Sequence, residues 1–139
     1  MKTFKNYLKV IQEMEERDEL LPEGLTIINR TPHDVIANGI TYPKTDKVTR
    51  VDTVDIATGN KLFVNQEYGD IIDLDPKEDK TLYIVSAIVL SAIDKNPKYQ
   101  KRMDLIAPNT GKTATRNDKG QITSVPNFIC RWENISEVM

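Results

Sequence analysis

The chain has 139 residues, a formal net charge of −2 and a single cysteine, Cys130. This length fits one domain with one hydrophobic core, and a 39% hydrophobic content beside 29% charged residues argues against a wholly disordered chain. A single thiol excludes an intrachain disulfide and a cysteine-based metal cluster within one chain. No apolar run approaches the ~20 residues that span a bilayer, and the N-terminal segment is too acidic for a signal peptide. We therefore expect a cytoplasmic protein that does not bind a membrane.

The N-terminal segment has the pattern of an amphipathic helix. Apolar residues recur at three- and four-residue spacing from Phe4 to Met14, with charged and amide side chains between them. The pattern predicts a helix within residues 1–22 that stops near Pro22 and Gly24. Its apolar stripe either packs on the sheet or docks against a second subunit.

From Gly24 onward the pattern is typical of β-strands. Asn38-Gly39 lies between VIA and ITY and favours a type I′ hairpin turn, since both turn residues need positive φ. Thr58-Gly59-Asn60 joins VTRVDTVDIA to KLFVNQ, which predicts a second hairpin with a bulge. GDIIDL is expected to be a short strand or an extended connection.

The second half of the chain combines a buried strand, a short helix and a C-terminal hairpin. TLYIVS has the composition of a buried central strand, and Ser86 can cap a helix near residues 87–95 that is too apolar all round for anything but a buried element. DLIAP, KTATR and QITSVPNFICRW are predicted to be three strands, the last two joined at a turn that ends on Gly120. The sequence thus predicts one α+β domain over residues 1–139. Its core, residues 25–139, is mainly antiparallel β-sheet with one buried helix.

The only histidine, His33, lies beside Asp34 after the first predicted strand. An imidazole next to a carboxylate can act as a general base, but no serine or cysteine nucleophile motif accompanies it. A turn-forming or ligand-contacting role is therefore favoured over catalysis. The acids of residues 70–79 lack the glycine and closing glutamate of an EF-hand loop, which favours a solvated surface. We predict no metal, no cofactor and no catalytic residue.

The basic part of the chain, residues 95–119, is the strongest candidate for a binding site. Tyr99 lies among four positive charges, so its ring could stack on a base while the cations meet phosphate, although a solvated lysine-rich turn is the alternative. The segment PNTGK at residues 108–112 adds amide, hydroxyl and ammonium donors, and Arg116 follows. It lacks the spacing and the following helix of a P-loop. In an acidic protein, such a local basic patch suits a compact anion better than duplex DNA.

Four short motifs, in this order and spacing, resemble a phage protein family. They are Thr31-Pro32-His33, Tyr83 to Ser86, Asp104-Leu105 with residues 108–111, and Gly120 to Ile122 with Val125 and Phe128. The family is the anti-Thoeris sponges, the first type of Thoeris anti-defence protein. The resemblance runs from about Leu25 to Arg131.

This resemblance implies that the protein binds a ligand and does not catalyse a reaction. The family sequesters cyclic ADP-ribose isomers made by TIR-domain enzymes of bacterial defence, and binds them without cleavage. It also implies a homo-oligomer, a dimer or an assembly of dimers, whose pockets form where subunits meet, and some members bind cyclic trinucleotides as well. The place of action implied is the host bacterial cytoplasm.

The resemblance also suggests roles for individual residues. Family members stack adenine on an aromatic residue ten positions before a ligand-bonding asparagine, and Tyr99 and Asn109 have that spacing. The family has an arginine where this chain has Pro126. Arg116 or Arg131 could take the role of that arginine, or the protein could prefer a different ligand. With Tyr99 as the stacking platform, the predicted ligand-binding residues are Tyr99, Asn109, Thr110, Arg116, Arg50, Phe128, His33 and Arg131.

Two other functions remain open at this point. One is a phosphodiesterase that opens a cyclic nucleotide with His33 and a neighbouring acid. The other is a phage structural or regulatory protein that binds other proteins through its N-terminal helix, while the basic loop is merely solvated.

Overall fold

The computed structural model describes residues 24–133. The predicted helix within residues 1–22 lies outside this range, as do residues 134–139. In chain order the elements are β1 (Thr26–Asn29), β2 (Val35–Ala37), β3 (Ile40–Tyr42), β4 (Arg50–Ala57), β5 (Val64–Ile72), β6 (Thr81–Ile84), α1 (Ala87–Lys95), a 3-10 turn (Pro97–Tyr99), β7 (Leu105–Pro108), β8 (Thr115–Arg116), β9 (Ile122–Ser124) and β10 (Phe128–Ile129).

A four-stranded sheet with the order β1-β6-β7-β10 forms the centre of the fold. β6 pairs in parallel with β1 and with β7, and α1 is the crossover between β6 and β7, whereas β10 runs antiparallel to β7. Antiparallel hairpins β2–β3, β4–β5 and β8–β9 make up the remaining strand pairs. The predicted α+β class with mainly antiparallel strands is confirmed for the described residues.

The central sheet buries both of its faces, because successive side chains of a strand point to opposite sides. Leu82 and Ile84 pack with the β2–β3 hairpin on one side, here called the hairpin face. Tyr83 and Val85 pack with Leu105 and α1 on the other side, here called the helix face. TLYIVS is thus a central, buried strand, as its composition predicts.

The helix α1 begins where the sequence predicts. The Ser86 hydroxyl accepts a hydrogen bond from the Val89 amide at 3.3 Å, which caps the first turn. Leu90, Ala92 and Ile93 are buried as predicted, whereas Ile88 is 52% exposed, so its predicted burial is wrong. Only one side of the helix faces the sheet, and its buried residues are Val89, Leu90, Ala92 and Ile93.

The two predicted hairpins are present. Asn38 and Gly39 have φ of 49° and 79°, the positive values that a type I′ turn requires. The β4–β5 pairing shifts register between Val51 and Thr53, which is the predicted bulge. Residues 69–72 continue β5 and are neither a separate strand nor a connection, because Ile71 and Ile72 pair with Val51 and Arg50 at the start of β4.

The C-terminal segment predicted as one strand is two strands. β9 pairs with β8 across a turn in which Gly120 has φ of 77°, whereas β10 pairs with β7. Pro126 lies between them, and proline has no backbone N–H to donate to a continuing ladder. Just before it, the Val125 amide donates to the Ile36 carbonyl, so the chain passes here from the β8–β9 hairpin to the central sheet.

Candidate functional site

The parallel strands β1, β6 and β7 end at one edge of the central sheet, here called the carboxyl edge. Asn29, Ile84 and Ile106 are aligned across these strands. The loops that follow the strands therefore emerge side by side, and α1 begins among them. In sheets built from parallel strands and crossover helices, ligands bind outside the carboxyl ends of the strands. This edge is the candidate site.

The loop after β7 contains most of the predicted hydrogen-bond donors. The Asn109 side-chain oxygen accepts from the Gly111 amide at 3.3 Å, and the Arg116 guanidinium donates to the Thr110 carbonyl at 3.2 Å. A second guanidinium nitrogen of Arg116 donates to the Gly120 carbonyl at 2.9 Å. The structure thus brings three predicted residues together, and the loop is held in shape by its own side chains.

Phe128 lies beside this loop. It pairs with Pro108 across β10 and β7, and the Asn109 side-chain amide donates to the Asn127 side-chain oxygen at 3.0 Å. The Phe128 ring meets the Tyr42 ring edge-on at 5.5 Å, and burial raises the pKa of Tyr42. Phe128 therefore contributes to the hairpin-face core and also borders the carboxyl edge.

His33 also lies at this edge, in the loop after β1. Its backbone carbonyl accepts hydrogen bonds from Asn29 Nδ2 at 2.8 Å and from Thr31 Oγ1 at 2.9 Å. The residue is exposed, and its imidazole has no hydrogen-bond or ion-pair partner among residues 24–133. The backbone of His33 holds the turn, while its ring is available to solvent or ligand.

Tyr99 and Arg131 lie at the opposite, amino edge of the sheet. Tyr99 belongs to the 3-10 turn before β7 and packs on the helix-face core. Arg131 pairs with Asp94 at 3.1 Å and donates to the Tyr99 carbonyl at 3.4 Å. The four residues of β7 span ~13 Å at the usual strand rise, so one chain does not bring Tyr99 to Asn109.

Arg50 belongs to a third part of the molecule. It is exposed at the start of β4, and its neighbour Val51 packs on the helix-face core. Ala114, next to β8, packs instead on the hairpin-face core. Residues near Arg50 and Arg116 thus pack on opposite faces of the central sheet, and no hydrogen bond or ion pair among residues 24–133 joins Arg50 to the loop that Arg116 holds.

An ion-pair network near the carboxyl edge has a structural role. Arg30 Nε and Lys47 Nζ each lie 2.8 Å from the Asp75 carboxylate. Burial raises the pKa of Asp75, but the hydrogen bonds and charges of Arg30 and Lys47 outweigh it and hold that pKa below its usual range. Burial and then the Asp75 charge raise the pKa of Tyr83. Arg30 and Lys47 thus neutralise the charge of the buried Asp75 carboxylate.

Two cavities were not anticipated from the sequence. One, of about 730 Å³, separates the β4–β5 hairpin from α1 and is lined by Tyr68 and Ile88 among others. The other, of about 400 Å³, lies between α1 and β10. Neither is lined by Tyr99 or by the loop after β7.

Among residues 24–133, no three His, Cys, Asp or Glu side chains are grouped as metal ligands. No helix in the same range is long and apolar enough to cross a bilayer. Comparisons with protein-family models, curated proteins and solved structures found no match. The resemblance to the anti-Thoeris sponges therefore depends on the sequence motifs quoted above and stays a prediction.

Proposed function

We propose that the protein captures a cyclic ADP-ribose isomer, such as glyco-cyclic ADP-ribose, at the carboxyl edge without cleaving it. Such capture would block TIR-based anti-phage defence. The observation that supports this most is the hydrogen-bonded loop in which Asn109, Thr110 and Arg116 meet where the parallel strands end. The ligand class comes from the resemblance.

The chemistry of this edge suits an anion. A guanidinium, an ammonium at Lys112, a hydroxyl and an amide all offer donors, and charge-assisted hydrogen bonds to phosphate are about twice as strong as neutral ones. The positive end of the α1 dipole is at the same edge, because a crossover helix runs against the strand before it. A sponge needs affinity and abundance but no transition-state stabilisation.

The carboxyl edge of one chain does not include the aromatic ring that is predicted to stack on the adenine. Tyr99 lies at the amino edge, so in this proposal it stacks on a ligand held by the carboxyl edge of a neighbouring subunit. The proposal therefore includes a homo-oligomer with composite sites. Cyclic trinucleotides are further candidate ligands from the resemblance and are tested in the same titrations.

Calorimetry with purified cyclic ADP-ribose isomers tests the proposal. Lys112→Ala should weaken binding at least tenfold, because a charge-assisted hydrogen bond contributes ~1.5–3 kcal/mol. Lys77→Ala is the matched control, an equally exposed lysine distant in sequence from the loop, and should bind like the wild type. No heat with any isomer at micromolar protein would refute the proposal.

The fate of the ligand separates capture from catalysis. The complex is heat-denatured and the released nucleotide is analysed by mass spectrometry. Intact cyclic ligand supports a sponge. A linear product that disappears in His33→Ala would support the phosphodiesterase instead.

Subunit mixing tests the composite site. Tyr99→Ala and Asn109→Ala should each lose binding alone. After the two are mixed and exchange subunits, about a quarter of the sites should recover if the assembly is a twofold dimer, since each hybrid has one unaltered site. No recovery, in an assembly that demonstrably exchanges subunits, would rule out composite sites.

A further inference from the structure

The β4–β5 hairpin carries an apolar tip that is unusually exposed. Leu62, Phe63 and Val64 are 79%, 61% and 53% exposed. The largest contiguous apolar patch on a protein surface is often an interaction site. By their exposed fractions these three side chains offer on the order of 400 Å² per chain, a large part of the ~800 Å² per partner of a stable interface.

The tip is held in this position by hydrogen bonds of its own turn. The Thr58 hydroxyl donates to the Phe63 carbonyl at 2.8 Å, and the Asn60 side-chain oxygen accepts from the Leu62 amide at 2.8 Å. Gly59 has φ of 91°, which other residues adopt with strain. The backbone that carries the apolar side chains is thus ordered before docking, which lowers the entropy cost of association.

The same hairpin borders a cavity with matching properties. The cavity of about 730 Å³ lies between β5 and α1, and its floor includes Ile88, which is 52% exposed, and Ala92. Lys95 Nζ lies 5.5 Å from the Tyr68 ring centroid and forms one wall. The β4–β5 hairpin thus carries an apolar projection and also forms one side of a recess whose other side is α1.

A cation beside the tip and a carboxylate in the cavity form one complementary pair, and the cavity also contains Lys95. Lys61 immediately precedes the apolar tip, and Glu67 lines the cavity. In a twofold arrangement, the tip of each copy can enter the cavity of the other, so that both pairs of features are covered at once. An apolar tip preceded by a cation fits a recess that contains a carboxylate, and this chain has both features, so the occupant is a second copy of it.

We propose that the β4–β5 hairpin is a self-association arm, whose tip residues Leu62 and Phe63 insert into the cavity beside Ile88 of a second copy. The Lys61 ammonium then faces the second copy's Glu67. The contact is independent of the ligand, because neither the tip nor this cavity includes a residue of the loop after β7.

Sedimentation velocity of the full chain over micromolar concentrations tests this arm. The wild type should self-associate, and Phe63→Ser and Ile88→Ser should each weaken association tenfold or more, because burying one large apolar side chain is worth ~1.5–3 kcal/mol. Ile122→Ser, another exposed isoleucine outside the arm and the cavity, is the matched control. Far-ultraviolet circular dichroism checks that each variant is folded.

Charge reversal gives a second, sharper readout. Lys61→Glu and Glu67→Lys should each weaken association, and the double variant should restore it. A monomeric wild type, an unchanged assembly in the tip variants, or single reversals that the double variant fails to rescue would each overturn the arm. Ligand titration of the same variants is scored separately, so loss of the arm and loss of nucleotide capture are distinguishable.

Discussion

Replacing Asn29 with alanine should be among the most damaging single changes in the described chain. The residue is 2% exposed, and its amide makes four hydrogen bonds. Its nitrogen donates to the carbonyls of His33 at 2.8 Å and Tyr42 at 2.9 Å. Its oxygen accepts from the amide and the hydroxyl of Thr31 at 2.8 and 2.7 Å. This one side chain therefore ties the end of β1 to its following turn and to β3.

The expected loss of folding stability follows from these four hydrogen bonds. At ~1 kcal/mol net per hydrogen bond, Asn29→Ala should destabilise the fold by about 4 kcal/mol, since the buried carbonyls it leaves cannot all reach water. With an m-value of ~2 kcal/mol/M, the urea midpoint should fall by about 2 M. The single tryptophan, Trp132, packs against the hairpin-face core and reports unfolding by fluorescence.

Asn65→Ala is the control, because Asn65 is exposed on β5 and should change stability by less than ~0.5 kcal/mol. A loss below 1 kcal/mol for Asn29→Ala, with an unchanged m-value, would refute the structural role assigned to its amide.

Three further changes test other parts of the fold by the same urea titration. Asp75→Asn should lower the free energy of unfolding by about 2 kcal/mol at pH 7. This value lies between the ~0–1 kcal/mol that an exposed ion pair contributes and the ~3–5 kcal/mol lost when a buried pair is broken. An equal loss of stability at pH 7 and at pH 2.5 would contradict this. Ser86→Ala should cost ~1 kcal/mol through the lost helix cap, whereas Ser91→Ala on the exposed side of α1 should not, and equal losses would refute the cap. Arg131→Ala should lower the free energy of unfolding by ~2–3 kcal/mol, because the Arg131 guanidinium donates hydrogen bonds to three backbone carbonyls. Arg50→Ala is the control and should leave stability nearly unchanged. An Arg131→Ala variant as stable as the wild type would refute the anchoring role.

The pH dependence of the Asp75 effect has a definite sign. Because the folded-state pKa of Asp75 is lowered from about 3.8, its stabilisation is fully present above that value. It is lost as the pH falls below about 3.8 and through the lower folded-state pKa. The wild type should therefore approach the Asp75→Asn variant in stability only in strong acid.

Features that depend on local chemistry were predictable from the sequence. The Asn38-Gly39 turn needs two residues that tolerate positive φ, and few dipeptides do. The limits of α1 follow from a capping serine at one end and from Asn96-Pro97 at the other. In both places a few neighbouring residues determine the backbone, so a local pattern is sufficient.

Features that depend on distant residues were not predictable. Nothing local shows that Thr26 pairs in parallel with Thr81, yet this pairing determines which loops share the carboxyl edge. Arg131 was expected to bind ligand, but its partners are mostly backbone carbonyls, which the residue types do not reveal. The Thr31-Pro32-His33 motif likewise includes a structural turn, whose organising residue, Asn29, was not singled out.

The hydrogen bonds already made at the carboxyl edge determine which residues can contribute most to ligand affinity. The Asn109 side-chain nitrogen uses one of its two N–H donors on Asn127, which leaves one neutral donor for a ligand. The Thr110 hydroxyl and the Lys112 ammonium have no side-chain partner among residues 24–133, and Arg116 has five N–H donors, of which the loop uses only part. New bonds from these three groups replace bonds to water alone. Because charge-assisted hydrogen bonds are about twice as strong as neutral ones, Lys112 and Arg116 should contribute most to phosphate binding, and the neutral donors of Thr110 and Asn109 should add to it.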